Sequence, residues 1–337
     1  MSDALAQSPQ TLLIRRLSAR LELRMLGLAL LVFVGLSLAS PFFLQTNNLL
    51  NLLDQSVVTG IVAIGMTFVI FTGGIDLSVG SVLGLTAVLM GQTIRQGGGY
   101  ATGLGLSVDL TIALGIAVAV AAGALIGLFS GFLVARFGLA SFVVTLGVMA
   151  IGRSLAYICS GQNAIADIPQ QINDLVYTPV LGVPSNVATL LVLYALAWLY
   201  LTFTKGGRTI YAIGSNREAA RTAGLSVLAY SIVPYVISGA LSGAAGVLLS
   251  AQVLSIDPLA GTALELDAIA AVVIGGASLY GGRGSIIGTL IGVLIMVMIR
   301  NGLNLLGVSP FWQGSAIGGI IIAAVLVERL VSSRVRG

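Results

Sequence analysis

The sequence predicts an all-α, polytopic membrane protein with about ten transmembrane helices. Three observations carry that expectation. Of the 337 residues, 57% are hydrophobic and only 8% are charged, against about 25% charged in ordinary soluble domains. Apolar runs of near-spanning length, about 20 residues, recur along the chain. Lys and Arg collect in alternate connections, as in proteins that keep basic loops on one side of a membrane. A mean hydropathy of +1.05 leaves too few charges to cover a water-facing surface. The 44 glycines sit among Leu, Ile, Val and Ala, where they suit close helix crossings and broken helices.

The runs fall at 24–40, 57–74, 78–95, 107–134, 139–159, 187–203, 229–251, 265–281, 285–302 and 311–330. Glu265 and Asp267 open the eighth run and leave it a short apolar portion, so a short, tilted or shielded helix is expected there. The organisation read from these runs is a tail at 1–24, one transmembrane domain at 25–331 and a second tail at 332–337. The first arginine-flanked run looks like a signal peptide. It is long for one and has no evident cleavage site, so a retained first helix is expected.

With ten crossings and the N-terminus inside, the inner side receives Arg15, Arg16, Arg20, Arg24, Arg136, Lys205, Arg208, Arg217, Arg221, Arg283, Arg329, Arg334 and Arg336, which is 13 of the 16 basic residues. Arg95, Arg153 and Arg300 fall outside it or within spans. Both tails are then cytoplasmic and the protein is multi-pass. The net charge of +4 needs no nucleic-acid partner, because basic flanks of spans account for it.

Several chemistries lack their residues. There is no His and one Cys, Cys159, so an internal disulfide, a thiolate cluster and a histidine base or ligand are all missing. No catalytic residue and no metal site is expected. Gly281-Gly282-Arg283-Gly284-Ser285 lacks the Lys-Ser/Thr that ends a phosphate-binding loop, so an ATP-driven process would place its ATPase on another chain. Acidic residues lie near span ends rather than at mid-membrane, which disfavours coupling to sodium or protons. A neutral polar cargo moved by an outside energy source fits better.

Two glycine-rich turns recur, Gly73–Ser81 (GGIDLSVGS) and Gly275–Ser285 (GGASLYGGRGS). Each joins a span ending inside to one returning outward. Gly73, Gly74, Asp76, Ser78, Gly275, Gly276 and Ser278 are the candidate hinge or gate residues, with Asp76 or Ser78 also able to cap the following helix. The inner segment 204–228 holds a short helical stretch from Glu218. Ser215 or Asn216 could start it and Gly224 could end it, making an exposed docking surface for a partner. Phe68, Thr72, Phe142 and Thr145 are candidates for a substrate path, although polar residues in spans more often serve helix packing. Asn301, Asn304 and Gln313 fall around an outer turn and are candidates for an external contact.

Gly73–Ser81, Tyr211–Gly224 (YAIGSNREAARTAG) and Gly275–Ser285, in that order and spacing, resemble the permease subunit of bacterial ABC importers of the ribose/monosaccharide type. The resemblance covers nearly the whole chain and implies a type II ABC importer-like permease fold. It implies a place in the bacterial inner membrane and a second permease copy, most simply a homodimer in the lipid bilayer. A cytoplasmic sugar ABC ATPase using ATP and Mg, and a periplasmic sugar-binding protein, would complete the system. This chain would itself bind no cofactor. The segment 206–225 would couple permease to ATPase through Arg217, Glu218, Ala219, Ala220, Arg221 and Gly224. Other cargoes in the same architecture, such as a nucleoside, and a stand-alone secondary transporter are the alternatives.

Overall fold

The computed structural model describes residues 9–97, 107–166, 168–309, 312–320, 322–323 and 326. Its helices are α1 (Pro9–Ala39), α2 (Thr46–Phe71), α3 (Val79–Gly97), α4 (Val108–Phe137), α5 (Ser141–Ser160), α6 (Asp174–Tyr177), α7 (Ser185–Phe203), α8 (Lys205–Ser215), α9 (Arg217–Thr222), α10 (Val227–Val253), α11 (Leu264–Ile274) and α12 (Ile286–Leu305). Residues 312–320 are also helical. The only sheet among the described residues is a hairpin of β1 (Pro179–Val180) and β2 (Val183–Pro184), with Pro179 opposite Pro184. Seven described helices are long and apolar enough to cross a membrane: α1, α2, α4, α5, α7, α10 and α12.

α2 is the axis of the bundle, with 78% of its apolar window buried. Helices α7, α10, α11 and α12 pack around it. Glycines set the closest approaches. A Cβ on Gly65 would lie 2.7 Å from the Ser238 Cα of α10. Between α4 and α10 the backbones touch: a Cβ on Gly123 would strike the Gly239 carbonyl, one on Gly239 the Gly123 carbonyl, and one on Gly127 the Tyr235 carbonyl. The spacing Gly115, Ala119, Gly123, Gly127, Gly131 puts one small residue per turn on that face of α4. This is how helices associate where hydrocarbon offers no hydrophobic drive. The opposite face of α4 is apolar and exposed, with Leu125 and Phe129 outward.

α1 lies at the edge, and none of its Glu22–Ala39 window is buried. It packs chiefly on α12, where the Leu36 side chain fills the space beside Gly302. The Ser285 hydroxyl donates to Glu22 Oε1 at 2.7 Å. The helix already runs from Pro9, so residues 9–24 are helical and continuous with the apolar window that starts at Glu22. Residues 1–8 and 332–337 lie outside the described residues, as does part of the run 311–330.

The run 265–281 forms a short helix, as its acidic start leads one to expect. α11 has 11 residues, about 16 Å at 1.5 Å per residue, and ends at Gly275. The chain first re-enters the bundle irregularly at 254–263. Ile256 and Ile165 exchange backbone hydrogen bonds at 2.9 Å, and Gly261 backs onto Gly80. Arg153, inside α5, donates to the Pro258 and Ala260 carbonyls at 3.0 Å each. A non-helical backbone inside a membrane bundle persists only where protein or water satisfies its polar groups, and Arg153 does so here for two carbonyls. The other two exceptional arginines differ. Arg300 pairs with Asp267, and Arg95 stands in the last turn of α3.

Asn301 is not available to an external partner. Asn48 and Asn301 form a reciprocal, buried amide pair at 3.1 and 2.9 Å, joining α2 to α12. Gln313 donates to Asn304 Oδ1 at 2.7 Å.

The α4–α10 crossing yields a stability test. Gly239→Val overpacks a backbone contact and is expected to lower stability by about 1–3 kcal/mol or more, read as a fall in thermal unfolding temperature in detergent. Gly147→Ala, where nothing lies within 4 Å of the new Cβ, is expected to be neutral or to stabilise by up to about 1 kcal/mol.

A candidate coupling site where two glycine turns meet

α2 and α11 end in the same way. Gly73 (φ +82°) and Gly276 (φ +87°) are left-handed, which glycine adopts without a Cβ clash. The Gly73 amide donates to Ile70 O at 2.8 Å and the Gly74 amide to Val69 O at 3.1 Å. The Gly276 amide donates to Val273 O at 2.9 Å and the Ala277 amide to Val272 O at 3.1 Å. Both are Schellman ends. Gly73 therefore matches Gly276, one position away from the double-glycine alignment that the sequence suggests. Gly275 serves another purpose: it and Gly288 are in carbonyl-to-backbone contact between α11 and α12.

Asp76 carries the first turn. Its Oδ1 accepts the Ser78 amide at 3.0 Å and the Ser78 hydroxyl at 2.6 Å, while Oδ2 accepts Ser238 Oγ of α10 at 2.8 Å. The carboxylate thus caps α3 and ties it to α10. From α5, Ser141 Oγ accepts the Ile75 amide at 3.1 Å and Thr145 Oγ1 donates to Ile75 O at 3.2 Å. Gly74 lies against the Tyr235 hydroxyl. In the second turn, the Ser278 amide donates to Arg283 O and the Gly281 amide to Ser278 O, both at 3.0 Å.

The two turns contact each other, and α8 contacts both. The Gly282 amide donates to Phe71 O at 3.0 Å. A Cβ on Gly281 would lie 2.7 Å from the Gly73 nitrogen. α8 starts under a Thr204 cap, whose hydroxyl accepts the Gly207 amide at 3.0 Å. Gly214 near its end leaves room for the Phe71 carbonyl and the Gly282 amide. Tyr211 lies against the Phe71 ring with centroids 4.8 Å apart and donates to Gly284 O at 3.2 Å. Burial pushes its phenol above the ordinary tyrosine range. Any displacement of α8 must therefore move both turns.

α9 follows directly. Asn216 Oδ1 accepts the Ala219 amide at 2.9 Å, so Asn216 rather than Ser215 is the cap. Gly224 (φ +79°) ends the segment, with the Leu225 amide donating to Ala220 O at 3.1 Å. Arg217, Glu218, Ala219, Arg221 and Gly224 are exposed. Ala220 is buried and anchors the helix instead of facing outward. Glu218 and Arg221 pair at 3.5 Å, both well over two-thirds exposed. Such a pair contributes at most about 0.5 kcal/mol.

The four path candidates separate. Phe68 is buried against Tyr200 at 5.7 Å between ring centroids. Thr145 is buried and occupied with Ile75 and Ser141. Phe142 points outward. Thr72 lines a polar cleft of about 170 Å³ with Ser141, Arg217, Ser231 and Tyr235. Sequence reasoning missed Tyr211 and Gly214 as site residues. A signal was present, since both fall inside the Tyr211–Gly224 motif.

Replacing Asp76 tests the first turn. Asp76→Ala leaves three buried donors unpaired, at a cost of roughly 1–3 kcal/mol for each. A large fall in thermal stability is expected, with a smaller one for Asp76→Asn, which keeps one acceptor.

A model of the family described as branched-chain amino acid transport system / permease component matches residues 48–326. The chain is 41% identical over 310 residues to the ribose import permease protein of Bacillus subtilis (strain 168), covering 91% of this chain and 92% of that one. It is 42% identical over 307 residues to the ribose import permease protein of Escherichia coli (strain K12), covering 89% and 92%. It is 37% identical over 305 residues to the D-allose transport system permease protein of the same strain, covering 90% of each. No solved structure matches the chain. With a family model spanning most of its length and relatives this similar end to end, the chain belongs to this family of importer permease components and is closely related to its ribose-type members.

Proposed function

We propose that the chain is the membrane-spanning permease of an ATP-driven importer that admits a monosaccharide. The observation that carries this reading is its similarity, over about nine-tenths of its length, to permeases named for a pentose and a hexose. A periplasmic binding protein delivers the sugar, a second copy completes the pore, and a cytoplasmic ATPase supplies ATP hydrolysis. Ten passages in a type II importer arrangement fit the order of the described helices, counting the short α3 and α11 and the helical stretch at 312–320.

The glycine-turn face is cytoplasmic in this reading. Arg136 at the end of α4, Lys205, Arg208, Arg217, Arg221 and Arg283 belong to that side, as a basic inner face requires. α9 meets the ATPase through Arg217, Glu218, Ala219 and Arg221, while Ala220 and Gly224 shape it. Motion passes from α9 through α8 into both turns, with Gly73, Gly74, Asp76, Ser78, Gly275, Gly276 and Ser278 as the hinge elements. Of the four path candidates, Thr72 is retained, because it alone borders a polar cleft.

Two measurements test this. In a strain lacking the native gene, the chain with its neighbouring transport genes should restore uptake of labelled D-ribose or D-allose; uptake of labelled leucine or a nucleoside alone would move the cargo to another class. Glu218→Lys should cut uptake and sugar-stimulated ATP hydrolysis at least severalfold at unchanged membrane abundance. Full stimulated hydrolysis by that variant would remove α9 from the coupling route.

A further inference from the structure

The end of the bundle opposite the glycine turns holds a half-open cavity of about 310 Å³ lined by one copy of the chain. This is at the small end of ligand-pocket volumes, roughly 300–1,000 Å³, and suits one sugar ring. Its polar wall comes from α2. Asn51, Asp54, Gln55 and Thr59 line it, with Val58 between them. Spacings of three, four, seven and eight residues put these positions on one helix face. Thr59 lies about 20 Å along α2 from Thr46 at 1.5 Å per residue, so the stripe runs well into the membrane-spanning part.

Such a stripe is costly in hydrocarbon. Asn51 and Gln55 are exposed, and neither has a hydrogen-bond partner among the described residues. Neighbouring polar groups are occupied: Asp54 Oδ1 accepts Asn186 Nδ2 at 2.8 Å, and Gln252 Nε2 donates to Asp54 O at 3.3 Å. Across the cavity, Arg300 Nη2 contacts both carboxylate oxygens of Asp267, at 2.7 and 2.9 Å. Asp267 is nearly buried, whereas Arg300 is 40% exposed and keeps further N–H donors free for a ligand. Leu249 and Met296 add apolar surface.

The geometry points to a monosaccharide-binding station in this cavity, inside each copy of the permease, where the free amides of Asn51 and Gln55 and the Arg300 guanidinium take the sugar hydroxyls. Amides offer a donor and an acceptor, and a guanidinium several donors, in fixed planes that match vicinal hydroxyls. The apolar patches suit the C–H face of a pyranose or furanose ring. The cargo class rests on the importer reading above; the cavity rests on the geometry alone.

The test uses the complete importer in cells that import labelled D-ribose or D-allose. Gln55→Leu combined with Thr59→Val removes two polar groups that hold no described structural contact. Uptake is expected to fall at least tenfold at normal membrane abundance, while Leu53→Ala, on another face of α2, leaves uptake within twofold. In parallel, Gln55→Cys in a Cys159→Ser background should react with a membrane-impermeant maleimide added outside intact cells. Absence of labelling overturns the cavity whatever the cargo. Labelling together with uptake within twofold for Gln55→Leu/Thr59→Val overturns the station. If the unsubstituted chain imports no monosaccharide, the importer reading and the ligand class fail together, and the labelling result still decides the cavity.

Discussion

The need to satisfy every backbone polar group inside the bundle governs this fold. Continuous helices meet it automatically, and seven of them make up most of the described bundle. The informative places are where the chain stops being helical. At 72–78, Asp76, Ser141 and Thr145 hold the turn. At 254–263, Arg153 and the Ile165–Ile256 pairing do so. At 275–285, the turn leans on the first through Gly282 and Phe71. Each break is stabilised by partners from other helices, so none is a free hinge. A movement at one of them must exchange those partners.

This arrangement explains why α8 suits a transmitting role better than either turn alone. A lever needs stiffness along its length and firm attachment at its ends. α8 has a capped start, and its last turn is pressed into a junction of main-chain groups. Side chains at such a junction would act as compressible spacers; glycine backbones in contact do not. The exposed ion pair on α9 adds little stability, so its residues are free to serve recognition. Positions that stiffen the segment and positions that lie exposed are thus different residues only a few apart in the chain.

Much of the architecture was legible in the sequence because hydrocarbon imposes a simple length rule. Helix ends marked by Asn216 and Gly224 were legible too, since capping is a local interaction. α11 was partly legible: Glu265 and Asp267 announced a short helix, but not that the Gly275–Gly276 Schellman end stops it well before the apolar run does. The Gly73–Gly276 equivalence was blurred by a neighbouring glycine that serves packing instead. Asn301 looked free because its partner, Asn48, lies at the other end of the chain. The cavity with the α2 polar stripe draws on α2, α6, α10, α11 and α12, and no local pattern announces a convergence of that kind.

The peripheral seat of α1 bears on how the protein is made. α1 is synthesised long before its principal partner, α12. For most of translation α1 must persist in lipid as an isolated helix, which its 31 residues and apolar flank permit. The bundle closes only when the Leu36–Gly302 contact and the Glu22–Ser285 hydrogen bond form. Truncation near the C-terminus would therefore strand the N-terminal helix, and membrane quality control would meet an orphan segment at the opposite end of the polypeptide from the lesion.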